Sequence, residues 1–152
     1  MAITSDAQFK EQLQTLSIAQ QRLVAASFVE SVLALCDDKR VKNAVETAKR
    51  SDISEDELAM AYKAAQTAST ETFTKCGQDT DWAQQAAHFV AAASAACVIP
   101  TSQVAVEKCE VACHAAMHSR MAKTCAAVVS GDFLGASEIE KQYKILSDYL
   151  EK

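Results

Sequence analysis

The stretch Lys108–Cys125 reads KCEVACHAAMHSRMAKTC and gathers three of the chain's six cysteines, two of its three histidines and two of its four methionines. Thiolate, imidazole and thioether are the soft ligands that hold Cu(I) or Zn²⁺. On a helical wheel His114, His118, Met121 and Cys125 fall on one narrow stripe, while Cys109, Cys113 and Met117 form a ridge that begins on a neighbouring face. Residues four apart face the same way, so His114 with His118, or Cys109 with Cys113, form chelating pairs. Cys109, Cys113, His114, His118 and Cys125 are therefore the candidate metal ligands. Two features argue against a purpose-built site. The wheel parts the imidazoles from the Cys109 and Cys113 thiols, and the spacing lacks the paired C-x₂-C of a zinc module. Cysteine and methionine at helical spacing also serve as ordinary core residues.

The elements that position this segment are all helical. The chain has 152 residues, enough for one domain with a real core. Nearly half the residues are hydrophobic, but aromatics make up only 6%, and three glycines with one proline are too few for the turns of a β fold. Alanine supplies much of the apolar content, which favours helices and their close approach. The fold class is all-α, a single compact bundle of five to six helices over 1–152, mostly antiparallel neighbours. A short leading helix within 1–16 can pack loosely on it.

Ser17 with Gln20 reads as a capping box opening a helix to about Cys36. Asp37 or Asp38 caps a helix over 39–50, and Ser54 with Glu57 reads as a second capping box. Asp79 or Thr80 caps an Ala-rich helix that ends before Pro100. Thr101 or Ser102 opens the longest helix, to about Val129, which Gly131 stops. A last helix runs from about Leu134 to Tyr149, with Glu138, Glu140, Lys141, Lys144 and Asp148 on a solvated face. Trp82 reads as a core anchor, and His88 as a histidine hydrogen-bonded in or beside the core.

The formal net charge of −5 and the scattered basic residues exclude a broad phosphate-binding face, so nucleic acid is not an expected partner. The N-terminus lacks the basic and apolar regions of a signal peptide, and no apolar run is long enough to span a bilayer. Cytoplasmic location, reduced thiols and no membrane are the expectation. Enzyme templates fail in turn. H-A-A-M-H lacks the glutamate of a zinc-protease helix, no Glu-x-x-His occurs, and there is no phosphate-binding loop or nucleophile elbow.

The order of landmarks is itself informative. RLVAASFVESVLALC is followed by DDKRVKNAVETAKR, then EDELAMAYKAAQTAS, then AAHFVAAASAACV with KCEVACHAAMHSRMA, and the tail EIEKQYKILSDYL. Over roughly residues 20–150 this resembles a family of small all-α immunity proteins of bacterial polymorphic-toxin systems. Asp38 and Arg40 before Val45-Glu46-x-Ala48-Lys49-Arg50, and Glu140-Lys141-Gln142, carry most of the likeness. Where such proteins tend to carry a histidine in the fourth helix, this chain has Ala95-Ala96-Cys97-Val98. The resemblance implies a non-enzymatic domain that binds a toxin-like protein by steric occlusion, with no cofactor. The residues leave open a Cu(I) or Zn²⁺ bundle built on 108–125, an enzyme with an unrecognised active site, which a deep pocket holding His88, His114 or His118 beside carboxylates would favour, and a homo-oligomer.

Overall fold

The computed structural model describes residues 2–75, 81–107, 110–131 and 135–152. Among them are eight α-helices and no strand: α1 (Asp6–Gln14), α2 (Ile18–Glu30), α3 (Lys39–Lys49), α4 (Glu55–Lys75), α5 (Trp82–Cys97), α6 (Thr101–Glu107), α7 (Val111–Ser130) and α8 (Gly135–Leu150), with a 3₁₀ turn over Leu33–Leu35. No helix among these residues is long and apolar enough to cross a membrane.

Five to six helices is thus an undercount, and the main reason lies between α6 and α7, where Glu110 is extended. The expected single helix from Thr101 to Val129 is two, α6 and α7. Nothing local announces the break. It is held from elsewhere in the fold: Gln21 Oε1 on α2 accepts from the Ala112 backbone N at 3.4 Å, and Gln14 Nε2 on α1 donates to Glu110 Oε1 at 3.0 Å. The Gln21 amide thereby satisfies one backbone N–H in the first turn of α7, while Gln14 tethers the Glu110 side chain beside it. The helix expected to reach Cys36 also stops early. The Ser31 hydroxyl lies 2.7 Å from the Phe28 carbonyl, and the chain tightens into the 3₁₀ turn through Leu35 N donating to Val32 O.

Several local signals are realised. Ser17 and Gln20 form a reciprocal capping box. Asp38 caps α3 by accepting from Arg40 N at 2.9 Å. Gly131 ends α7 at φ 76°, the left-handed conformation glycine adopts without strain. Ser54 accepts from Glu57 N, but the Glu57 carboxylate also turns to Arg50 at 2.5 Å. Asp81 caps α5 through Gln84 N, whereas Asp79, Thr80 and the expected helix start at Leu134 lie outside the described residues.

The Ala-rich α5 and α7 share the most extensive helix–helix contact and form the centre. α4 lies on α5 and runs antiparallel to it, as Glu55 near Thr101 and Ser69 near His88 require. α2 packs on α7 and α5, α3 joins α2 to α4, and α1 and α8 lie against α7. Fully buried Ala91, Ala93, Ala112, Ala115 and Ala116 let these backbones approach closely. α1 is anchored rather than loose, because Phe9 and Leu13 are buried in the common core. Trp82, in the first turn of α5, is 40% exposed instead of anchoring the core.

Glu138 departs from the solvated face expected for α8. It is 1% exposed and faces the interior rather than solvent. Ser31 donates to its Oε1 at 2.6 Å, while Oε2 is buried with no hydrogen-bond partner.

Candidate functional site

α4, α5 and α7 enclose an open groove of about 630 Å³. Its α4 wall is polar, with Tyr62, Lys63, Gln66, Thr67, Thr70 and Glu71 at helical spacing. Its opposite wall carries His114 and His118 of α7, and its floor includes Ala92, Ala95 and Ala96 of α5. Two of the five sequence-predicted ligands, the histidines, therefore line one cavity.

The other candidates are elsewhere. Cys113 is buried on another side of α7, beside Lys10, Leu13, Gln21 and Glu110 of a small crevice. Cys125 is buried and does not line the groove. Cys109 lies outside the described residues. Burial, followed by the Glu110 charge, pushes the Cys113 thiol up, which favours the neutral thiol over the thiolate a metal requires. No group of three or more His, Cys, Asp or Glu side chains able to hold a metal ion is gathered among the described residues.

The structure adds His88 to the neighbourhood. Its Nδ1 lies 2.8 Å from the Ser69 carbonyl and 3.2 Å from Ser69 Oγ. The short contact to a carbonyl acceptor means Nδ1 carries the proton, so it is not the base that would activate the Ser69 hydroxyl. His88 instead ties α5 to α4, as expected of a histidine beside the core. Its ring stands 5.4 Å from Phe73 and 5.2 Å from Phe89, and Phe89 stacks on His118 at 6.2 Å. This row of rings crosses α4, α5 and α7 and fixes the His118 side of the groove. Only the apolar company of His88 in the sequence hinted at its place.

His118 Nδ1 is buried without a hydrogen-bond partner. Burial, then the nearby His114 and His88, hold its imidazole below the ordinary histidine value of 6.5. In the unfolded chain His118 binds its proton at the ordinary value, and in the folded chain only at lower pH. The unfolded state therefore carries more protons between the two values, so stability falls as pH drops through 6.5 toward the folded value. The urea midpoint is expected to be lower at about pH 5.5 than at about pH 7.5, and His118→Gln should shrink that difference. An undiminished fall in the variant would remove His118 as its cause.

Acidic residues at the helix junctions are engaged within the chain. Arg40 binds Asp38 at 2.8 Å and Glu71 at 2.6 Å, and Arg50 binds Asp52 at 3.2 Å and Glu57. The junctions Asp37–Arg40 and Asp52–Glu57 are thus intramolecular ion-pair clusters. No protein-family model, no curated protein and no solved structure matches the chain.

Proposed function

We propose that this chain is a non-enzymatic protein-binding domain, acting in the manner of a toxin-neutralising immunity protein, and that the α4–α7 groove is its recognition face. The observation that carries this reading is the groove itself. It is open, it has an alanine floor that leaves room for protruding side chains, and its walls are polar groups with hydrogen-bonding capacity to spare. Its histidines lack the arrangement of nucleophile, base and orienting group that acyl-transfer chemistry needs. Binding there would work sterically, by laying the α4–α7 face over the partner's active site.

The test is neutralisation. Co-production with a toxin encoded beside this gene should restore growth, and the purified pair should form a stoichiometric complex. The double variant Lys63→Glu/His114→Glu is expected to weaken that complex about tenfold or more, because like charges at a recognition patch are costly. Asp52→Lys/Glu57→Lys should change it far less. The opposite ranking would move the face to the helix junction, and failure to neutralise any adjacent toxin would sink the reading.

A further inference from the structure

The hydrogen-bond inventory of the groove is lopsided. Tyr62 Oη accepts from Gln66 Nε2 at 2.7 Å and from Gln103 Nε2 at 3.3 Å. With both lone pairs engaged, its own O–H is left to donate. Lys63 makes no ion pair among the described residues. His118 Nδ1 is buried, so the other ring nitrogen is the one able to meet a ligand. The one carboxylate in the lining, Glu71, is drawn to the Arg40 guanidinium at 2.6 Å. Tyr62 and Lys63 thus keep donors to offer and the one carboxylate of the lining is already matched, in a protein whose net charge is −5.

A group that only accepts hydrogen bonds and carries negative charge completes such an inventory. We infer that the groove is an oxyanion site, in which Lys63, Tyr62, His114 and His118 receive the carboxylate of an acidic side chain on the partner protein. This rests on the protein-binding reading above and names the chemistry of its contact. A solvated lysine on a polar helix is the ordinary alternative. Two features distinguish the groove from it. Tyr62 is clamped by two amides so that it can only donate, and Arg40 keeps Glu71 from competing for Lys63. Both lower the cost of organising the site before a ligand arrives.

The inference is tested on the full chain with inorganic sulfate, a dianion that only accepts hydrogen bonds. Sulfate is titrated against a sodium chloride control of equal ionic strength and followed by amide NMR. Saturable shifts are expected at Lys63, Gln66, His114 and His118. Lys63→Met is expected to weaken binding about fivefold, the effect of one partly screened charge contact. Tyr62→Phe, which keeps the ring but removes the donor, should weaken it about threefold. Shifts that match the chloride control, or that survive unchanged in Lys63→Met, overturn the site.

A second arm uses a short peptide bearing two adjacent glutamates and its glutamine counterpart. The glutamate peptide is expected to move the same resonances and to compete with sulfate, and the glutamine peptide is not. Sulfate binding without glutamate-peptide binding overturns the side-chain source. A chain that neutralises its toxin yet binds neither probe overturns the oxyanion while leaving the protein-binding reading intact. A chain that binds both probes but neutralises nothing does the reverse.

Discussion

Replacing Arg120 by alanine is expected to lower the unfolding free energy by about 3 kcal/mol, measured by urea denaturation. The Arg120 side chain is 13% exposed and serves three partners. Its Nε donates to Gln142 Oε1 at 2.7 Å, its two terminal nitrogens reach Asp6 at 3.1 and 3.0 Å, and its guanidinium lies over the Phe9 ring at 5.3 Å. The Asp6 pair is half in solvent and by itself is worth about 1 kcal/mol or less. More of the loss comes from Gln142, which is 0% exposed and donates through Nε2 to Ala116 O at 3.0 Å. Without Arg120 its Oε1 loses a donor it cannot replace from water, which costs about 1–3 kcal/mol. Lost packing of the arginine stem and the ring contact add to this.

This ranking has its own controls. Asp6→Asn should cost far less than Arg120→Ala. Adding Gln142→Leu to Arg120→Ala should recover part of the loss, because the stranded oxygen goes with it. If Asp6→Asn were as damaging as Arg120→Ala, the ion pair would be the main source of the stability and the argument from Gln142 would fail. Hydrogen bonds from Arg120 and then Tyr143 hold the Asp6 carboxyl below its ordinary value of 3.8. Its contribution is therefore present above that value and lost as pH falls through the folded one, a more acidic window than that of His118.

Phe9→Ala is the second large effect, about 4 kcal/mol. Phe9 is fully buried, with ring centroids 5.5 Å from Phe28 and 5.4 Å from Tyr143. α1 has only nine residues, too few to hold as a helix in water without its anchor. Its loss should also loosen Gln14 from Glu110 and so weaken the tether between α1 and the start of α7. Hydrogen exchange is the decisive measurement. In the variant, amides of 6–14 should exchange well ahead of the global unfolding rate. A variant in which α1 stays as protected as the rest would show that Leu13 and the polar tethers of Asp6 and Gln14 suffice to hold the helix. Phe9 and Arg120 are in contact, so their joint loss should fall short of the sum by about 0.5 kcal/mol or more.

The legible parts of this chain were the ones whose physics is local. A serine hydroxyl three residues before a glutamine, an aspartate before a helix and a glycine after one act through neighbours in the sequence, as Ser17, Asp38 and Gly131 do. Alanine content likewise pointed to the close helix approach that α5 and α7 make. The start of a separate α7 was invisible because the partners of Glu110 and Ala112, Gln14 and Gln21, lie on α1 and α2. Glu138 read as solvated because its surrounding pattern is polar, yet Ser31, from a helix far away in sequence, receives it inside. In the groove, the i, i+4 relation of His114 and His118 was readable. The α4 wall facing them was not, since no periodicity says which helix packs opposite.

The amino-acid sequence by itself determined an all-α chain, its main caps, and the separation of the His114 and His118 imidazoles from the Cys113 thiol around one helix, because 3.6-residue periodicity fixes directions on an isolated helix. Tertiary structure alone decided which side chains meet. It set the imidazoles opposite Tyr62 and Lys63, placed the Cys113 thiol among α1 and α2, and joined Arg120 to Gln142 and Asp6. Those contacts depend on how helices dock, which is governed by the buried area and polar satisfaction of the whole bundle and not by the spacing within any one of its helices.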